Sequence, residues 1–252
     1  GMALSGMAIG GVVAICQVSL ICTQSYAQAR TGEGTGQGRC ALSCTLRFSG
    51  KLDCQAHYRP PTMNIVCIAW GSLLWKPAPL KLASGWHPGG PRLPLEFVRK
   101  SDDSPEVALV LCEGARPMPT YWAYLDAPDL DTARAMLGAR EKITPGRPDY
   151  IGSIPPLDGA RTDARIAAWL ARMRIDAAVW TALPAKFEGE SGRVPTPEEV
   201  VAALERLPLE LRAQAERYVR CTPPHIDTHY RRVIEARLGW RAARDAHVTR
   251  MR

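Results

Sequence analysis

Ile65-Val66-Cys67-Ile68-Ala69-Trp70-Gly71-Ser72-Leu73-Leu74-Trp75 is the stretch that decides the fold class. An unbroken apolar run that stops at Gly-Ser reads as a strand buried on both faces, entering a tight turn. Gly71 lets the backbone turn sharply and approach a ligand closely. Successive amides after such a strand can point inward as a small anion-binding nest.

Downstream, residues 76–94 are rich in Pro and Gly and read as loop. Leu95–Arg99 then alternates apolar and polar, as a half-buried strand does. Val107–Leu111 reads as a second buried strand and Thr120–Leu125 as a third. Asp129 or Asp131 can cap a helix through Arg140, with Leu130, Ala133 and Leu137 on one face. Thr162–Arg174 is amphipathic, and Ala177–Thr181 reads as a last strand. Thr196-Pro197-Glu198-Glu199 starts a helix to Leu207. Pro208 starts another to about Cys221, and Thr222-Pro223-Pro224 a third that ends near Gly239. Short strands in series followed by a helix predict an α/β chain of the α+β kind. They predict a small mixed sheet or barrel with packed helices and not a doubly wound nucleotide fold.

Composition narrows the function classes. The chain has 252 residues, 46% apolar and 23% charged, which is ordinary globular usage. Its net charge of +7 lies at the ends: residues 1–62 hold five basic and two acidic residues, and 231–252 hold seven and two. The body between them carries a net −1, which argues against nucleic-acid binding. No stretch of the body is apolar for the length of a membrane span.

Three domain segments follow: 1–62 as an N-terminal extension, 63–185 as an α/β domain, and 186–252 as a helical extension packed on it. Gly1 ahead of Met2 reads as the remainder of a cleaved tag. For 1–62 a mis-set start ahead of Met63, a signal-like segment (Met7–Cys22, then Ala27-Gln28-Ala29) and a structured extension all stay open. Cys40, Cys44, Cys54 and His57 offer soft ligands, but their spacing fits no common zinc module, so the expected metal is none. Cys67, Cys112 and Cys221 are isolated, as in a reducing cytoplasmic setting.

The turn at Trp70-Gly71-Ser72-Leu73-Leu74-Trp75 resembles the Tyr-Gly-Ser-Leu-x-Trp motif of γ-glutamyl cyclotransferase-like proteins, the glutathione-specific ChaC branch above all. Further elements follow in the family's order. They are the strand Val107–Leu111, then Tyr121-Trp122-Ala123-Tyr124-Leu125, then Arg140-Glu141 at a helix end. Gly146 and Tyr150 stand where the family has Gly-Gly-Tyr. The resemblance covers residues 65–155; Trp70 replaces the family's Tyr, and the link after Glu141 is longer. It implies release of 5-oxoproline from a γ-glutamyl peptide or amine, with Glu141 as the one catalytic acid and base. It implies that Trp70, Gly71, Ser72, Leu73 and Leu74 cradle substrate, without cofactor or metal. Arg99, ending a strand, could pair with a substrate carboxylate, and Tyr150 completes the set. The implied partner is a small γ-glutamyl substrate, with no nucleic acid, no membrane, and a homodimer left open.

Plainer readings compete. Glu141 could be a solvated helix-end acid. Trp70 and Trp75 could be core aromatics. Trp122 and Tyr124 share a strand face that reads as core. His225 and His229 would share a helical face at an exposed first turn, and Arg231-Arg232 would be solvated. A non-catalytic small-molecule binder on the same fold, and a protein-interaction module using the C-terminal helices, are the alternative functions.

Overall fold

The computed structural model describes residues 63–144 and 146–242. The readings made for 1–62 and for the last ten residues of the Arg-rich tail lie outside the described residues. In chain order the strands are β1 (Ile65–Ala69), β2 (His87–Pro88), β3 (Leu93–Lys100), β4 (Val107–Leu111), β5 (Pro117–Met118), β6 (Tyr121–Tyr124), β7 (Ile151–Ile154), β8 (Ala177–Thr181), β9 (Lys186–Phe187) and β10 (Glu190–Ser191). The α-helices are α1 (Leu130–Arg140), α2 (Ala164–Met173), α3 (Pro197–Glu205), α4 (Leu209–Cys221) and α5 (His229–Leu238).

β1 is the middle of a five-stranded sheet of order β2-β6-β1-β8-β7. It pairs antiparallel with β6 and parallel with β8. A central strand covered on both faces has no solvent side, so its sequence is continuously apolar instead of alternating. The faces still alternate in what they touch. Val66, Ile68 and Trp70 pack toward the second sheet and the C-terminal helices. Ile65, Cys67 and Ala69 pack toward α1 through Leu130, Ala133 and Leu137. The second sheet has the order β10-β9-β3-β4, with β5 on the start of β3. Parallel and antiparallel pairs occur in both sheets, so the fold is mixed α+β.

Local chemistry sets the helix ends. Asp129 accepts a hydrogen bond from Thr132 N–H at 2.7 Å and starts α1. Thr196 and Glu199 form a capping box at α3. The third C-terminal helix starts six residues later than the Pro223-Pro224 signal suggests, because Thr228 is its cap and accepts from Arg231 N–H at 3.2 Å. His225 therefore lies ahead of the helix, and His225 and His229 share no helical face; the His225 ring packs 5.3 Å from that of Tyr121. Segment 186–252 is not helical throughout, since β9 and β10 open it and β9 pairs with β3.

Arg231 is not solvated. Its side chain is 2% exposed, and it donates to the carbonyls of Pro223 (2.7 Å), Ile226 (3.0 Å) and Thr222 (3.0 Å) and to Glu235 Oε1 (2.9 Å). It satisfies the carbonyls at the end of α4 and in the following turn, where a buried backbone would otherwise lack donors. Among the described residues no helix is long and apolar enough to cross a membrane.

Candidate active site

The turn after β1 is a short 3-10 helix, Gly71–Leu74, with Gly71 at φ +72°. Two side chains from elsewhere in the chain fasten it to the second sheet. Among the described residues β4 pairs only with β3, so one edge of β4 has no strand partner there. At Leu109 on that edge, the carbonyl accepts from Trp70 Nε1 at 3.1 Å and the N–H donates to the Tyr218 hydroxyl at 3.2 Å. Tyr218 comes from α4, and its hydroxyl oxygen would lie 2.5 Å from a Cβ at Gly71. Glycine is required at 71 both by the left-handed φ and by this approach.

The end of α1 brings the acid. Glu141 caps the helix, with its N–H donating to Leu137 O at 2.9 Å. Arg140 reaches back from the same helix end. It donates through Nε to Lys76 O at 2.9 Å and through Nη2 to Ser72 Oγ at 3.3 Å, while Nη1 lies 3.6 Å from Glu141 Oε1. One guanidinium thus ties helix end, turn and carboxylate together, and the Glu141 side chain is only 17% exposed. Burial pushes the Glu141 carboxyl above the usual carboxylate range, while Arg140 and Arg99 pull against that shift. Glu141 is therefore not a freely solvated helix-end acid.

These groups border one cavity of about 430 Å³. Trp70, Ser72, Leu73, Arg99, Glu141 and Tyr150 all line it, so most of the residues singled out in the sequence meet in space. Arg99 donates to Pro184 O at 2.7 Å, which holds its guanidinium at the wall. Tyr150 sits under the Arg147 guanidinium, 3.8 Å from ring centroid to Cζ, and its carbonyl accepts from Ala182 N–H at 2.8 Å. Leu74 does not belong to the site: it is 2% exposed and packs in the α1-side core. Trp70 is both a core residue, 7% exposed, and a cavity wall, and its indole N–H is already committed to Leu109. Trp122 belongs to the core, packed against Trp169 with ring centroids 5.6 Å apart.

Two hydroxyls on the cavity escaped the sequence reading. Tyr218 had only the signature of a buried residue on an amphipathic helix. Thr181 ends β8, and its Oγ1 is buried with no partner among the described residues. Among the same residues no group of three or more His, Cys, Asp or Glu is placed to hold a metal ion. Compared with protein-family models, curated proteins and solved structures, the chain matches none.

Proposed function

We propose that the chain is a γ-glutamyl cyclotransferase-like enzyme that releases 5-oxoproline from a γ-glutamyl peptide or amine. The observation that carries this reading is the half-buried Glu141 carboxyl, bordering the same 430 Å³ cavity as the Ser72 turn. Cyclisation takes the substrate's α-ammonium to a lactam N–H, so that nitrogen gives up two protons: one to solvent before attack, and one to Glu141 as the ring closes, which Glu141 then passes to the leaving amine. A single carboxyl with a raised pKa takes and gives that second proton in turn. The freed α-amine attacks the γ-carbonyl carbon, the new C–N bond closes the five-membered ring, and the old amide C–N bond breaks. The reaction is intramolecular, so a cavity that holds the glutamyl arm curled contributes much of the acceleration. Arg99 and Arg140 supply positive charge for the substrate's α-carboxylate. Cys67, Cys112 and Cys221 are free thiols, which accords with a cytoplasmic setting.

The test is 5-oxoproline release by the purified full chain from glutathione and from a panel of γ-glutamyl amines. Turnover of at least one member is expected, with Glu141→Gln reducing kcat by about 10²-fold or more. Full activity in Glu141→Gln, or an inert wild-type chain on every substrate, overturns the reading. Tight binding of a γ-glutamyl compound without turnover would assign the cavity to a binding protein instead.

A further inference from the structure

We propose that Tyr218 is the hydrogen-bond donor to the substrate's reacting carbonyl oxygen. The inference rests on the cyclotransferase reading and adds to it a residue from α4, outside the segment that carries the family resemblance.

Hydrogen-bond accounting carries the argument. The phenol oxygen accepts from Leu109 N–H, so the hydroxyl proton is left to find an acceptor of its own. No described residue accepts it, although Tyr218 is 8% exposed and borders the cavity. Neighbouring donors have protein acceptors for at least one of their N–H groups. Trp70 Nε1 donates to Leu109 O, Arg140 donates to Lys76 O and Ser72 Oγ, and Arg99 donates to Pro184 O. The Thr181 Oγ1 hydroxyl, which has no partner among the described residues, borders the same cavity. Buried polar groups are rarely left unpaired, so an unpaired hydroxyl and an unspent phenol proton on one cavity wall point to a polar ligand. The position is also specific, because the hydroxyl lies 2.5 Å from where a Cβ of Gly71 would be and so adjoins the turn backbone.

Burial keeps the phenol above its ordinary pKa, so it stays neutral and protonated over the whole working range. A neutral donor suits the reaction. When the α-amine attacks, the carbonyl π pair moves onto oxygen, and the Tyr218 O–H hydrogen bond strengthens with the growing charge. The pair then returns and expels the leaving amine. Tyr218 keeps its proton throughout, and Glu141 carries the proton from the attacking nitrogen to the leaving amine.

The experiment uses the full chain with Tyr218→Phe, alongside wild type and Glu141→Gln. The measurements are kcat and KM on the best γ-glutamyl substrate, thermal midpoint, and affinity for 5-oxoproline. The expected result is a kcat roughly 10²-fold lower, with KM and 5-oxoproline affinity changed less than about threefold and the same pH profile as wild type. An unchanged kcat, with Glu141→Gln inactive, overturns the Tyr218 role and leaves the cyclotransferase reading standing. Parallel loss of kcat, product affinity and thermal midpoint assigns Tyr218 to holding β4 only, which also overturns it. An inert wild type removes both. If Tyr218→Phe does not fold, ring-fluorinated tyrosines at 218 keep the volume and the Leu109 contact. Then kcat should track phenol acidity, and a flat series overturns the proposal.

Discussion

Replacing Gly71 by Ala probes how the substrate turn and α4 fit together, and two costs add. An L residue held at φ +72° costs about 1–2 kcal/mol. The added methyl carbon would also lie 2.5 Å from the Tyr218 hydroxyl oxygen and 3.4 Å from its ring carbon. Tyr218 has little room to yield: Leu109 N–H holds its oxygen at 3.2 Å, and Trp75 and Phe97 stand edge-on at 5.5 and 6.3 Å. Overpacking of this kind costs roughly 1–3 kcal/mol. The sum, about 2–5 kcal/mol, corresponds to a fall in Tm of roughly 4–20 °C for a domain of this size. The assay is urea and thermal unfolding of the full chain, run as a double-mutant cycle with Tyr218→Phe. That second change removes the nearer clashing atom but strands Leu109 N–H, at about 1–3 kcal/mol. If the contact is as described, the double variant is more stable than the two single costs predict, by about 1 kcal/mol or more. Additivity within about 0.5 kcal/mol, or a Gly71→Ala cost below about 1 kcal/mol, refutes the reasoning.

Glu141→Gln should also change how stability depends on pH. The folded carboxyl holds its proton more tightly than the unfolded one, so its contribution is present at low pH and lost as pH rises through the folded value. The Tm of Glu141→Gln relative to wild type should therefore climb between acid and neutral pH, and a fall would contradict the burial assigned to this group. Arg231→Leu strips the donor from the carbonyls of Pro223, Ile226 and Thr222 and leaves Glu235 unpaired. It should cost about 3 kcal/mol or more, read as a lower urea midpoint. An unshifted midpoint would mean that Arg231 does not hold α4 to α5.

Much of this molecule is legible along the chain because its signals are local. The apolar run Ile65–Ala69, the break at Gly71-Ser72, the Asp129 cap and the Thr196–Glu199 box each act within a few residues. Their strands and helices follow from backbone hydrogen bonding and one-sided burial. Tertiary structure decided what those signals cannot carry. Leu73 and Leu74 are neighbours of one type and both pack in the α1-side core, yet only Leu73 also reaches the cavity. Arg231 and Arg232 look alike in sequence; one is enclosed by five backbone and side-chain acceptors, while the other pairs with Asp227 on the surface. Tyr218 gains its place only because α4 packs where the edge of β4 away from β3 presents Leu109 N–H beside a residue with no side chain. Local sequence sets which backbone pairs with which, but where a side chain's last hydrogen bond goes depends on groups far away in the chain, brought close only by packing.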